Sequence, residues 1–180
     1  MLKHHLSKLS VLIACVGMWI PLVAVAAPDL PTQTAIEPDL QTIASLDATL
    51  KQNPQNVEAY LQRGKLYAKL NNSFLAIADY TEAIRRDPNY ALAYNDRAMV
   101  KLTLKDYWGA YLDYGQVVRI LPDQAITYNN RAAARHQLGD CKGAIADLRI
   151  AAELFRQQGD RANYDRTLAN LKYFQKSAKR

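Results

Sequence analysis

Cys141 and His136 are the two side chains of this 180-residue chain best suited to covalent or acid–base chemistry. A thiolate is a nucleophile, and the start of a helix lowers a thiol's pKa. An imidazole changes charge near neutral pH. Neither residue has the company that catalysis needs. The other cysteine, Cys15, lies in an apolar N-terminal run, so no second thiol is at hand to resolve a redox cycle. The other histidines, His4 and His5, lie ahead of that run, and His136 alone cannot build a histidine metal site. The glycines are scattered and form no phosphate loop, and there is no His-Glu-x-x-His or Gly-x-Ser-x-Gly. No catalytic, metal or cofactor site is expected. Cys141 reads as a small packing residue.

A different charged pattern recurs. Arg63, Arg97 and Arg131 are evenly spaced, and Asp79, Asp113 and Asp147 keep the same interval. Charges that return three times to one semi-buried place must be paired. The spacing predicts a ladder of arginine–carboxylate bridges, within repeats or between neighbours, that sets register. A charge swap between Arg97 and one aspartate is then expected to restore stability lost by either single change.

The elements that position this ladder repeat at the same interval. Pro54, Pro88 and Pro122 keep it, as do Tyr60, Tyr94 and Tyr128, and Ala76, Ala110 and Ala144. A fixed period of this length means stacked copies of one supersecondary unit. In the first copy, Tyr60, Gly64 and Tyr67 share one helical face at i, i+4 and i+7. Ala76, Tyr80 and Ala83 do the same on a second helix, with Asn71-Asn72 as the turn between them. Gly64 permits close approach of the partner helix. Six of the eleven tyrosines fall at such core places and need no ligand to explain them. Tyr107, Trp108 and Tyr111 form a denser patch. Tyr107 and Tyr111 share a face, and Trp108 points elsewhere as a candidate partner contact.

Tyr60, Gly64, Tyr67, Ala76, Tyr80, Ala83 and Pro88 stand at the spacing of the tetratricopeptide repeat, and the chain resembles that family. The resemblance implies an all-α fold: a right-handed α-solenoid of three tetratricopeptide helix pairs over 57–158, divided 57–90, 91–124 and 125–158. Capping helices are expected over 39–56 and 159–180. Lys101 and Arg135 depart where an aromatic is usual, and the stem of Lys101 can cover apolar surface. Arg156 replaces the last proline, so the second helix of the third unit can run from Cys141 to Gln157. Asp160 caps a final helix over 161–177, buried through Tyr164, Leu168 and Leu171.

Residues 1–26 read as a secretory signal. Lys3 and Lys8 precede the uncharged run Val11–Ile20, and Ala24-Val25-Ala26 supplies the small-x-small cleavage pattern. Cleavage lowers the formal charge of +6 by two, and the mild excess that remains, with both signs interspersed, does not argue for nucleic acid. The alternatives are an uncleaved membrane anchor, or lipidation at Cys15 within Leu12-Ile13-Ala14-Cys15. Residues 27–38 hold three prolines and read as a flexible tether. The expected compartment is the periplasm or the cell exterior, with a thylakoid lumen or a membrane surface as alternatives.

The resemblance also implies a concave groove lined by the first helix of each pair, and a peptide or protein ligand. Advancing around those helices from the buried face gives Leu61, Lys65 and Lys69, then Asn95, Met99 and Thr103, then Asn129, Ala133 and Gln137, with His136 nearby. Asn95 and Asn129 suit a peptide backbone. Lys65 and Lys69 suit an acidic ligand residue. Some relatives clamp a chaperone's C-terminal carboxylate with Lys, Asn and Arg. Here Leu61, Asp96 and Ile126 hold three of those places, so that ligand is not expected.

Overall fold

A computed structural model of the chain describes residues 33–177. The signal segment and residues 27–32 of the tether lie outside the described residues. The described residues form eight helices: α1 (Gln33–Gln52), α2 (Val57–Lys69), α3 (Ser73–Arg86), α4 (Ala91–Thr103), α5 (Tyr107–Ile120), α6 (Ala125–Gln137), α7 (Cys141–Gln157) and α8 (Arg161–Ser177). No strand occurs among the described residues. Helices α2 and α3, α4 and α5, and α6 and α7 form packed pairs. Each pair stacks on the next, α1 packs on α2, and α8 packs on α7. The fold is an all-α solenoid of helix pairs.

One boundary differs from expectation. Helix α1 begins at Gln33, so residues 33–38 are helix rather than tether. Pro38 lies inside it and removes one backbone donor near the helix start, which the remaining turns tolerate. Thr42 Oγ1 donates to the Pro38 carbonyl at 2.8 Å. Ile43 and Leu50 of this helix are buried, but Leu40 is 52% exposed.

The turn inside each pair is built the same way three times. Asn71, Lys105 and Gly139 hold equivalent places and have φ of 59°, 61° and 81°. The next residue, Asn72, Asp106 or Asp140, donates its N–H back to the carbonyl of Tyr67, Lys101 or Arg135 at 2.8 to 2.9 Å, closing the first helix. Its side chain then accepts from Leu75 N, Gly109 N or Gly143 N at 3.3, 2.9 and 2.8 Å, capping the second helix. Left-handed backbone suits glycine, is tolerated by asparagine and is unfavourable for lysine. Lys105→Gly is expected to raise stability by about 1 kcal/mol, read as a higher urea midpoint.

The core between paired helices uses small residues against large ones. Ala98 packs in one cluster with Ala110 and Tyr114, and Ala132 in another with Ala144 and Leu148. At the matching place in α2, a Cβ on Gly64 would lie 2.7 Å from Tyr80 Cε1. Tyr80 is 2% exposed and cannot retreat. Gly64→Ala should therefore destabilise by about 1–3 kcal/mol despite alanine's better helix propensity. A Cβ on Gly115, in mid-helix α5, meets nothing within 4 Å. Gly115→Ala should stabilise by about 0.5–1 kcal/mol. Opposite shifts in melting temperature for these two variants check the packing directly.

Candidate interaction site

The recurring charges form the predicted ladder, within each pair. Arg63 donates from Nε to Asp79 Oδ2 at 2.8 Å and from Nη2 to Oδ1 at 2.6 Å. Arg97 and Asp113 repeat this fork at 2.9 and 2.7 Å, and Arg131 and Asp147 at 2.9 and 2.6 Å. The three aspartates are 1% to 4% exposed. Their carboxylates hold the Arg63 and Arg131 guanidinium groups above the ordinary arginine range, against the opposing effect of burial. Each guanidinium also lies 5.4 to 5.6 Å from the ring of the tyrosine three positions before it.

Two parts of the ladder were missed in the sequence. Arg63 Nη1 reaches back to Asp47 Oδ1 of α1 at 2.6 Å, and Arg97 Nη1 to Thr81 Oγ1 of α3 at 2.9 Å. The same place one unit later is Gly115, which has no side chain to offer. The signal was available, because Asp47, Thr81 and Gly115 precede the three arginines by one constant offset. Second, Lys101 Nζ lies 2.8 Å from Asp113 Oδ2, and Arg135 Nη1 lies 3.1 Å from Asp147 Oδ2. The two departures from the aromatic place supply a second cation to a buried aspartate. The charge swap expected to rescue Arg97 therefore has a flaw: an arginine at 113 would face Lys101.

The expected groove residues divide into three groups. Leu61 is not on an open face. It is 1% exposed and packs with Ala93 and Val100 of α4, because neighbouring first helices meet along its side of α2. Asn129 and His136 face α8. Asn129 Nδ2 donates to Thr167 Oγ1 at 2.8 Å, and Thr167 is fully buried. The His136 ring stacks on Phe174 with centroids 4.0 Å apart, with Tyr173 beyond at 6.2 Å. Lys65, Lys69, Asn95, Met99, Thr103, Ala133 and Gln137 keep accessible surface. The lysines are not free charges. Lys69 Nζ is 2.8 Å from Asp39, and Lys65 Nζ is 3.8 Å from Asp96 Oδ2.

A cleft of about 280 Å³ opens between α2 and α4, lined by Lys65, Ala68, Tyr80, Asp96, Met99 and Val100. Met99 is 53% exposed at its edge, and Leu92, two turns earlier on the same face of α4, is 50% exposed. Asn95 lies between them and donates to Asp96 Oδ1 at 3.1 Å. Burial first, and then the Asp96 carboxylate, push the Tyr80 and Tyr114 hydroxyls well above the usual phenol range. Leu92 was not singled out in the sequence, since its exposure follows from stacking rather than from periodicity.

The aromatic patch is arranged differently from expectation. Trp108 pairs with Tyr111, ring centroids 5.4 Å apart, and Arg135 lies 5.2 Å over the Tyr111 ring. Trp108 is exposed, and so are Leu40 and Phe74 at the equivalent places of the preceding units. Cys141 is half-buried at the start of α7. Among the described residues no group of His, Cys, Asp and Glu is placed to hold a metal ion, and no helix is long and apolar enough to cross a membrane.

The tetratricopeptide repeat family model matches residues 57–90. No curated protein is significantly similar to the chain. Among solved structures, the MamA protein is similar at a TM-score of 0.63 and 21% identity, over 68% of this chain and 67% of that one. The first tetratricopeptide domain of Spaghetti (RPAP3), bound to the HSP90 peptide SRMEEVD, is similar at 0.62 and 23% identity, over 70% and 95%. The TPR2B domain of yeast Sti1, in complex with pHsp70, is similar at 0.62 and 21% identity, over 67% and 97%. At these identities the likeness establishes the fold.

Proposed function

We propose that this array is a non-enzymatic module that binds a peptide or protein segment on the face of its first helices. The observation that carries the reading is the pair Leu92 and Met99, exposed on one face of α4, with Met99 at the edge of the cleft. Ligand sites combine apolar surface with a few placed polar groups, and here Met99 stands with Lys65 and Asp96 at the cleft. The family match supports it, as do the peptide-bound structures of similar fold. The ligand differs from an acidic chaperone tail. Leu61 is buried, Asp96 is an anion, and Ile126 is aliphatic at places where a carboxylate clamp needs donors.

Peptides selected from a phage-displayed, randomised decapeptide library on the full chain provide the test. Leu92→Ser with Met99→Ser should weaken their binding by about tenfold or more, the loss typical of a central contact, with circular dichroism unchanged. Undiminished affinity moves the binding face elsewhere, and the exposed row Leu40, Phe74 and Trp108 is the next place to probe.

The compartment belongs to the same proposal. The basic start, the apolar run and Ala24-Val25-Ala26 support export to the periplasm or cell exterior, and a membrane-tethered scaffold or envelope-complex subunit is the alternative. Mass measurement of the purified chain separates them. A mature N-terminus at Ala27 supports export, and an intact or lipidated N-terminus in the membrane fraction supports the tether.

A further inference from the structure

We propose that the cleft between α2 and α4 receives the basic side chain of the bound peptide, with Asp96 as its acceptor and Lys65 as an internal competitor. This deepens the interaction reading above and rests on it.

The buried aspartates of the ladder are fully served: Asp79, Asp113 and Asp147 each accept a forked pair of arginine bonds. Asp96 is not. Its Oδ1 accepts from Asn95 Nδ2 at 3.1 Å, but its Oδ2 is buried with no hydrogen-bond partner. The side chain as a whole is 19% exposed. A carboxylate oxygen withdrawn from water without a donor is unfavourable, and a charged donor arriving there forms the strong class of hydrogen bond. The nearest cation, Lys65 Nζ, stands 3.8 Å away. That is beyond hydrogen-bond distance, and the Lys65 side chain is 44% exposed at the rim. Lys65 screens the charge without satisfying the oxygen, and a long flexible side chain leaves such a place readily.

The walls suit the same ligand. Ala68, Met99, Val100 and the Tyr80 ring are apolar, and they line the approach to Asp96. A lysine or arginine presents an apolar stem with a cation at its tip. The volume of about 280 Å³ lies at the small end of ligand pockets, which suits one side chain. An acidic ligand residue fits poorly. Lys65 is the cleft's own cation and already leans on Asp96, and Lys69 is held by Asp39.

The decapeptide selection on the full chain tests this with two variants of opposite expected sign. Selected peptides should share a basic residue, and exchanging that residue for methionine should weaken binding about tenfold. Asp96→Asn, which keeps shape and loses charge, should cause a similar loss and abolish the preference for lysine over methionine. Lys65→Met removes the competitor and should tighten binding of the basic peptides several-fold. Binding that depends on Leu92 and Met99 but shows no basic preference overturns the assignment of the cleft while the interaction reading stands. Enrichment of acidic residues, with loss of binding in Lys65→Met, overturns it in favour of lysine as the recognition group. Failure to select any peptide overturns the interaction reading and this inference together.

Discussion

Asp113→Ala is expected to lower stability by about 3–5 kcal/mol, the range for removing one partner of a buried ion pair. Its loss strands two cations, since both Arg97 and Lys101 are satisfied through Asp113. Arg97 keeps only the Thr81 hydroxyl. Asp147→Ala should behave alike, leaving Arg131 and Arg135 without their shared carboxylate. Asp79→Ala should cost clearly less, because Arg63 retains Asp47 and the neighbouring aromatic place holds Tyr67 rather than a second cation. Urea unfolding of the three variants gives this order. Three equal losses would show that the second cations contribute nothing, and three neutral substitutions would remove the ladder from the account.

Truncation after Gln158, which removes α8, should produce the other large effect. Tyr164 packs against Ala125, Tyr128, Ala151 and Phe155, while Leu171 and Phe174 cover Ala132, Ala144 and Leu148. Each of those three side chains contributes about 1–2 kcal/mol at partial burial. Their loss also opens the face of α7 and strips Asn129 of its bond to Thr167. A short array depends on its terminal helices. The truncated chain should melt markedly lower and associate at micromolar concentration in light scattering. Retention of the full melting temperature would mean that α8 is an appendage and not a cap.

The solenoid was legible because the packing columns use the same residue types each time. Tyrosine, alanine, arginine and aspartate return at one fixed period, and the helices form where those columns require. The turn column was harder to see, because Asn71, Lys105 and Gly139 share a backbone conformation and no side-chain chemistry. The tether was overextended because Pro38 reads with Pro28 and Pro31 as part of one extended segment, although it lies early enough in α1 for the helix to pass through it.

The interaction face was legible only in part. Rotation about a single helix treats α2 as though nothing lay beside it. Leu61 fails for that reason, since α4 covers it. Asn129 and His136 fail in the same way, because α8 lies beside α6 and takes up their side chains as α4 takes up Leu61. Asp96 was visible as a departure from a clamp, but its unsatisfied oxygen belongs to the packed structure alone.

The central claim is that the first helices present the binding face. Backbone amide shift mapping on the isotope-labelled chain, titrated with the tightest selected decapeptide, tests it most directly. The account predicts the largest changes at Lys65, Leu92, Asp96 and Met99, with α3 and α5 little affected at their starts. Changes confined to Phe74, Trp108 and Tyr111, with the cleft silent, would contradict it.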